Sequence, residues 1–329
     1  MQEEIKLRKK AAYISLSVGV GMFIAKSGAY FITGSEAIFS DAAESVVHVI
    51  ATSIALYSII LSSKPPDESH PYGHGKVEFF SAGIEGFLIV FAALYIIFES
   101  VKAILIPSVL KSLDLGVIVI AAAGIINFIL GYYLIRMGKK TNSLTLVADG
   151  KHVLTDSFTS IGVLVGIILV MITNYTMLDP IFAIGVALNI LFTGFKLMRE
   201  SVGGLMNEMD IKMLEEISDE LIRIKKVYWI DIHELRFWIS GDKIFLDFHL
   251  IMPYYFSIRE SHTEENEIEE LLLKKFPRLQ LKIHFDYCLP ALCKFCMYEQ
   301  CDKREMKQTE TLEWNKSKLI GRPIYLIKS

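Results

Sequence analysis

Two stretches of this sequence place ionisable side chains inside long apolar segments with a matching helical spacing. The first stretch, SDAAESVVHVIAT at 40–52, contributes three of them: Asp41, Glu44 and His48. The second stretch, DGKHVLTD at 149–156, contributes another three: Asp149, His152 and Asp156. Residues three, four and seven apart lie on one face of an α-helix. Ionisable groups in an apolar segment are costly unless they meet partners, so two matched sets indicate an ion or proton path.

The residue types in these two sets favour a metal site. In antiparallel helices Glu44 and Asp156 would lie at similar depth, with His48 and His152 about one turn further along. Two imidazoles and two carboxylates at tetrahedral distance suit a borderline divalent cation, Zn²⁺ first. A cage of oxygen atoms alone would suit Mg²⁺ or Ca²⁺ better. The alternative is that such residues only form hydrogen bonds between helices, and it is the preferred interpretation for Glu85 and Asn127. Lys26 and Asp41 are expected to form a structural pair.

The elements that must position these residues are six apolar segments in the first 200 residues. The chain has 329 residues, of which 52% are hydrophobic, and a mean hydropathy of +0.41. The segments are 11–33, 36–61, 79–105, 113–136, 144–172 and 178–200. Each is close to or longer than the ~20 residues that a helix needs to cross ~30 Å of hydrocarbon. The sequence therefore predicts an α-helical membrane protein with six transmembrane helices in 11–205, after a leader at 1–10.

Lys and Arg in the connecting segments indicate the orientation. The leader, the loop with Lys64 and Lys76, the loop with Lys139 and Lys140 and the exit after the sixth segment are basic, whereas 33–36 and 173–180 contain no Lys or Arg. Basic loops face the cytoplasm. We therefore expect a multi-pass protein of a bacterial or archaeal cell membrane with both termini cytoplasmic. The net charge of −3 argues against a nucleic-acid partner.

The sequence period changes after Glu208. A helical stripe at 210–226 precedes two alternating segments around the turn at 240–242, a second helix at about 258–276 and a third strand, QLKIHFDY. This order, α-β-β-α-β, predicts a small cytoplasmic α+β domain at 206–287, followed by a cysteine-containing tail at 288–329.

The remaining histidines also occur beside acidic residues. The loop HPYGHGKVE and the residues just before it supply three candidate ligands: Asp67, His70 and His74. The predicted cytoplasmic domain supplies five: His233, His249, His262, His284 and Asp286. His284 and Asp286 are two residues apart in a strand and therefore project from the same face.

With these motifs together, residues 8–287 closely resemble the cation diffusion facilitator family, which exports zinc and related metals. The resemblance implies a homodimer with a ferredoxin-like, metallochaperone-like cytoplasmic domain, and metal/proton antiport by alternating access. Carried over by position, it implies a transport site at Glu44, His48, His152 and Asp156. It also implies a loop site at Asp67, His70 and His74, and a cytoplasmic cluster of the five residues named above.

Two departures from the family pattern bear on these assignments. The second-segment pair in the family is commonly Asp or His followed by Asp, whereas here it is Glu44 followed by His48. Many members also pair the loop lysine, here Lys76, with an Asp after the sixth helix. This chain has Asn207 at that position with Glu208 beside it, so the salt bridge is expected either to shift to Glu208 or to be absent.

All four cysteines lie in the tail, in the pattern C-x4-C-x2-C-x4-C: Cys288, Cys293, Cys296 and Cys301. The central C-x2-C spacing is typical of metal knuckles, and four thiolates would close a structural Zn²⁺ site. Stable disulfides are not expected in the cytoplasm. Redox sensing and unpaired thiols are the open alternatives.

The sequence thus predicts a secondary transporter that exports Zn²⁺ in exchange for protons, with no organic cofactor. An Fe²⁺, Mn²⁺, Co²⁺ or Cd²⁺ exporter on the same scaffold and a membrane-bound metal sensor without transport remain as alternatives. An intramembrane metallohydrolase is disfavoured, because no H-E-x-x-H motif occurs and four protein ligands leave no position for a catalytic water.

Overall fold

The structure, a computed structural model, describes residues 2–33, 36–105, 113–173 and 178–326. The chain divides into two compact units, Met1–Met206 and Asn207–Ser329. The first unit is built from long helices and the second is a small α+β fold.

Six long helices cover the six apolar segments of the first unit. They are α1 (Gln2–Thr33), α2 (Glu36–Ser62), α3 (Val77–Leu105), α4 (Leu113–Thr141), α5 (Leu144–Thr173) and α6 (Leu178–Leu205). Pro65 and Pro66 follow the end of α2, where they prevent its continuation. Pro180 lies in the first turn of α6, where the missing N–H costs no helical hydrogen bond.

Three described segments are long and apolar enough to cross a membrane: Glu3–Gly28, Val77–Lys102 and Ala121–Thr141. They belong to α1, α3 and α4. His48–Ser62 in α2 is a shorter apolar helix. Spans in α2, α5 and α6 therefore stay a prediction from the sequence.

The outer surface of α3 is strongly apolar. Phe80, Phe87, Phe91 and Phe98 recur at helical spacing, and each is more than half exposed. A continuous exposed apolar stripe of this kind is unfavourable in water and favourable against lipid or another apolar surface. The composition of the helical unit therefore fits a membrane environment.

Two glycines allow α4 and α5 to approach closely. A Cβ built on Gly150 would lie 2.9 Å from the carbonyl oxygen of Gly131, and one built on Gly131 would lie 2.9 Å from the carbonyl oxygen of Gly150. Larger side chains at these positions would force the helices apart. Small residues at such crossings are characteristic of helix packing in membranes.

A buried ion pair joins α1 to α3. The Arg8 Nη1 atom lies 3.3 Å from Oε1 of Glu78, and both side chains are almost completely buried. Ser62 donates to Glu78 Oε1 at 2.9 Å and Ser143 donates to Oε2 at 2.7 Å. Arg8 also donates to the Thr141 carbonyl oxygen. Arg8, which the sequence pattern assigns to the charged leader, is thus an internal part of α1.

The second unit follows the predicted order. It contains α7 (Ile211–Arg223), β1 (Asp231–Ser240), β2 (Lys243–Met252), α8 (Ile258–Lys275) and β3 (Leu279–Tyr287). The described sheet has the order β1-β2-β3, with β1 and β2 antiparallel and β2 and β3 parallel. Gly241, with φ of 62°, makes the tight turn between β1 and β2. Asp210 and Ser257 cap the N-termini of α7 and α8.

The two helices and the sheet share one hydrophobic core. Ile217 and Leu221 lie four residues apart on one face of α7, and both are fully buried together with Leu272 of α8. Phe248 and Leu250 face them from β2. Their neighbours in sequence, including His249, therefore point to the opposite face of the sheet.

The tail after β3 folds onto this unit. Its segments include a 3₁₀ helix (Pro290–Phe295) and a short helix α9 (Lys316–Ile320). Leu319 is fully buried in the main core, and Trp314 stacks on Trp229 with ring centroids 6.5 Å apart. The Glu234 N–H donates to the Gly321 carbonyl oxygen at 2.8 Å, so the tail also covers the edge of β1. The tail therefore belongs to the folded unit.

We expect Leu319→Ala to destabilise the second unit by about 2–5 kcal/mol, because it removes buried methyl groups and leaves a cavity. The neighbouring Ile320 is 41% exposed, so Ile320→Ala is the matched control and should change stability little. All three tryptophans of the chain, Trp229, Trp238 and Trp314, lie in this unit. Denaturant unfolding of the full-length protein followed by tryptophan fluorescence therefore reports on it selectively. Equal effects of the two substitutions would contradict the docked tail.

Candidate metal centre

The two ionisable sets meet between α2 and α5. The His48 and His152 rings stack with centroids 5.4 Å apart and planes inclined by 13°. His48 Nδ1 lies 3.7 Å from Asp156 Oδ2. One donor atom from each of these three residues lies within 4.8 Å of the others. Both imidazoles are buried, so three metal-ligand side chains converge inside the helical unit.

A glycine on α1 makes room for this group. A Cβ built on Gly19 would lie 3.0 Å from His48 Cδ2, so a larger residue there would displace the imidazole. The Thr52 hydroxyl, 3.8 Å from the same Cβ position, donates to the His48 carbonyl oxygen at 2.7 Å. No sequence pattern indicates this role of Gly19, because a glycine in an apolar helix carries no local sign of what it faces.

The sequence predicts three other residues in this region: Asp41, Glu44 and Lys26. The backbones of Asp41 and Glu44 are part of α2, but their side chains lie outside the described part of the structure. Lys26 is buried in α1. The Lys26–Asp41 pair and the Glu44 ligand thus stay predictions.

Two further carboxyl groups are buried in the same helical unit. Glu85 of α3 and Asp149 of α5 are at most 1% exposed. Their carboxyl oxygens have no hydrogen-bond partner among the residues that the structure describes. Asn127 of α4 is also buried. The polar interior therefore extends beyond the three convergent ligands.

The loop residues form a second compact group outside the helices. Asp67 Oδ1 lies 3.2 Å from His70 Nδ1, and Asp67 Oδ2 lies 3.2 Å from His74 Nε2. One donor atom of each residue lies within 4.8 Å of the others. Gly73, with φ of 85°, makes the turn that returns His74 towards Asp67.

The Asp67 carboxylate is stabilised by this loop. The His70 N–H donates to its Oδ1 at 2.8 Å, and the Ser69 hydroxyl donates at 3.0 Å. These hydrogen bonds, the His70 N–H first, lower the pKa of Asp67 to about 2. The group is therefore ionised, as a metal ligand must be, throughout the neutral and mildly acidic range.

The third group lies on the face of the sheet opposite α7 and α8 in the second unit. Strand register places three histidines in one row, since His233 pairs with His249 and His249 pairs with His284. The His233 and His249 ring centroids are 4.9 Å apart, and the His249 and His284 centroids are 4.5 Å apart. Two residues along β3, Asp286 projects from the same face.

Asp286 holds the row together. Its Oδ2 lies 3.0 Å from His249 Nδ1 and 3.3 Å from His233 Nε2, and these three residues form the compact donor group. His284 is 3.6 Å from Asp286 Oδ1 and largely exposed. His262 pairs instead with Glu265 on α8 at 3.6 Å and is not part of the compact group. Burial lowers the pKa of His233, which favours the neutral, metal-binding form.

Two groups beside His233 carry no signal in the sequence: Asp231, at the start of β1, and Lys318 of the tail. Lys318 Nζ lies 2.5 Å from Asp231 Oδ1, and Asp231 Oδ2 lies 3.6 Å from His233 Nδ1. An ion pair between residues so far apart in the chain leaves no local sequence pattern. Two further predictions from the sequence have separate outcomes. Lys76 and Glu208 belong to different units, so their pairing stays a prediction. The four cysteines are free thiols in the second unit: Cys288, Cys293, Cys296 and Cys301.

Comparison with known proteins identifies the family. The model of the cation efflux transmembrane domain matches residues 12–206, and that of the cation efflux protein cytoplasmic domain matches residues 210–288. The chain belongs to the cation efflux, or cation diffusion facilitator, family. The protein is therefore a membrane transporter for metal cations and not an enzyme.

Individual relatives of this cation efflux protein agree with the assignment. The uncharacterized transporter sll1263 of Synechocystis sp. is 33% identical over 85% of this chain and 91% of its own length. The manganese efflux system protein MneP of Bacillus subtilis is 29% identical over 83% of this chain and 94% of its own length. The cation-efflux pump FieF of Klebsiella pneumoniae is 27% identical over 85% and 93%, respectively. The tail after residue 288 lies beyond both family models.

We call the compact donors His233, His249 and Asp286 the sheet-face group. We expect His249→Ala to reduce zinc binding by one equivalent per chain, because it removes a central donor of this group. His262→Ala is the matched control and should leave the stoichiometry unchanged. Both variants can be compared in full-length protein by zinc titration against a competing chelator. An equal loss in both would show that the cytoplasmic site uses His262 as well.

The loop geometry predicts a specific titration of Asp67. We expect the side-chain ¹³C resonance of Asp67 in the metal-free protein to titrate near pH 2. Ser69→Ala should raise the pKa of Asp67, but not to the usual 3.8, because the hydrogen bond from the His70 N–H remains. Since the folded pKa is below the unfolded one, ionised Asp67 favours the folded loop above about pH 4, and this contribution disappears as the pH falls towards 2. A wild-type titration near 3.8 would contradict the loop geometry.

Proposed function

We propose that this cation efflux protein exports Zn²⁺ from the cytoplasm in exchange for protons. The supporting observation is the convergence of His48, His152 and Asp156 between α2 and α5. Glu44 lies one turn from His48 on α2 and is the proposed fourth ligand. Two nitrogen and two oxygen ligands suit tetrahedral Zn²⁺.

Proton coupling follows from the chemistry of these ligands. A metal binds neutral imidazole and ionised carboxylate, so metal and protons compete for the same atoms. Loading from the cytoplasm would release protons, and protonation from the outside would help to release the metal. Imidazole is suited to this exchange because its pKa is ordinarily close to physiological pH.

The remaining architecture is proposed from sequence and family. Six spans with both termini in the cytoplasm agree with the basic loops. Alternating access would expose the α2–α5 site to each side in turn. The family model that covers residues 210–288 is that of a dimerisation domain, which supports a homodimer. The loop and sheet-face groups would then bind metal on the cytoplasmic side.

The choice of metal rests on ligand type. Imidazole favours Zn²⁺, Co²⁺ or Fe²⁺ over Mn²⁺, which prefers oxygen ligands. One relative is nevertheless named as a manganese efflux protein. Zn²⁺, Fe²⁺, Mn²⁺, Co²⁺ and Cd²⁺ should therefore be compared directly, and we expect Zn²⁺ flux to exceed Mn²⁺ flux.

A membrane-bound metal sensor is the second candidate. The two compact donor groups outside the buried site, around Asp67 and around Asp286, would suit binding without transport. A sensor would show a metal-dependent change in tryptophan fluorescence but no metal flux. The flux assay described next therefore separates the two functions.

The test is Zn²⁺ uptake into proteoliposomes that contain a pH-sensitive dye. We expect His152→Ala together with Asp156→Ala to reduce zinc flux and zinc-driven proton flux by about 100-fold or more, because loss of outer-shell partners alone costs about 10- to 100-fold. His262→Ala provides the control for reconstitution. Undiminished coupled flux in the double variant would rule out this transport site. Zinc flux without proton movement in the wild type would rule out antiport.

A further inference from the structure

The four cysteines line one cavity in the second unit. Cys288 follows β3, Cys293 lies in the 3₁₀ helix, Cys296 follows that helix and Cys301 lies in the next turn, yet all four line the same space. Lys303 and Arg304 line it as well. The chain has no other cysteine, so all of its thiols line this one cavity.

The cavity is large enough for one metal ion. Its volume of about 30 Å³ exceeds the roughly 10–15 Å³ that a cavity needs to hold one water molecule. An iron–sulfur cluster also binds to four cysteines, so the metal content of the purified protein distinguishes the two.

The backbone around the central C-x2-C is fixed by Arg304. Its guanidinium donates to the carbonyl oxygens of Cys296 and Tyr298, at 2.9 Å each, and to that of Cys293 at 3.4 Å. The Cys296 N–H donates to the Cys293 carbonyl oxygen at 3.2 Å, which closes the turn between the two thiols. Arg304 also places positive charge where four thiolates around a divalent ion would leave a net charge of about −2. Of the other charged groups, Lys303 pairs with Asp302 at 3.2 Å and Glu305 also lines the cavity.

We propose that Cys288, Cys293, Cys296 and Cys301 bind one structural Zn²⁺ ion that fixes the tail to the sheet. The spacing C-x4-C-x2-C-x4-C agrees with tetrahedral thiolate sites. In the described part of the chain the four sulfurs do not form a group within 4.8 Å of one another, so zinc binding draws them together around the cavity.

Reactive cysteines are the competing interpretation. A redox-sensing thiol has a lowered pKa and is accessible. Here Cys296 is buried in a small apolar cluster with Ile251 and Leu292, and Cys288 packs against that cluster. This burial restricts the access that a redox-sensing thiol needs.

The proposed ion would also support the sheet-face group. Cys288 is two residues after Asp286, and its N–H donates to the Met252 carbonyl oxygen at 2.9 Å, which extends the pairing of β2 and β3. Leu292 and Cys296 pack against Ile251, which lies two residues after His249 on the same face of β2. The zinc-bound tail would therefore hold one end of the histidine row. Three of the four cysteines lie beyond the family models, and the site is independent of the proposed transport.

The test uses Co²⁺ as a substitute for Zn²⁺ in the full-length protein. Because all cysteines lie at this site, a sulfur-to-cobalt charge-transfer band can arise from it alone. We expect that band in the wild type, displaced by one equivalent of Zn²⁺, and absent in Cys293→Ser with Cys296→Ser. Met297→Ser in the same turn and His233→Ala with His249→Ala should both retain it. Loss of the band in the histidine variant, or its absence in the wild type, would overturn the proposal.

A second measurement needs no variant and is insensitive to misfolding. In the zinc-loaded wild type under native conditions, all four thiols should be protected from a thiol reagent. Chelation of the metal should expose them with release of one zinc ion per four thiols. Equal thiol reactivity before and after chelation would overturn the proposal, as would disulfides in the protein purified under reducing conditions, or iron in place of zinc.

Discussion

Ionisable side chains inside a bundle of apolar helices must be matched by one another, because the surrounding hydrocarbon offers no hydrogen bonds. This constraint organises the helical unit of the cation efflux protein. Arg8 and Glu78 satisfy it as an ion pair supported by two serines. His48, His152 and Asp156 converge in a different way, because their donor atoms surround a common point that a cation can occupy. One arrangement stabilises the fold, whereas the other is available for a substrate.

In the second unit, a β-sheet brings the ionisable side chains together. Its helices bury one face, and the opposite face carries the row His233, His249 and His284 beside Asp286. The tail that follows covers part of this second face and the edge of β1. A polar row that is flanked by a packed tail is more rigid than one on an open sheet. Rigid support of this kind maintains ligand positions within the small tolerance that metal coordination requires.

Much of this organisation could be predicted from the sequence, for physical reasons that differ between elements. The α-β-β-α-β order followed from hydrophobic period, and the three compact donor groups each drew on residues that the spacing of His and Asp had indicated. His262 shows the limit of this reasoning. It occurs in the same run of histidine motifs, but on helix α8 it pairs with Glu265 and stays outside the compact donor group, although it lines the same cavity as Asp286. Composition identifies a potential ligand, while its direction depends on the element that carries it.

The long apolar helices, the family and the residue types of the candidate sites could all be predicted from the amino-acid pattern, because hydrophobic period and ligand chemistry are local properties. Which ligands meet depends on the packing of the whole chain. Gly19 leaves space for the His48 ring because α1 passes beside α2, and Lys318 reaches Asp231 because the tail returns to β1. The packing of the tail also brings four cysteines to the lining of one small cavity. Such contacts depend on how distant segments pack, and a pattern of neighbouring residues does not encode that packing directly.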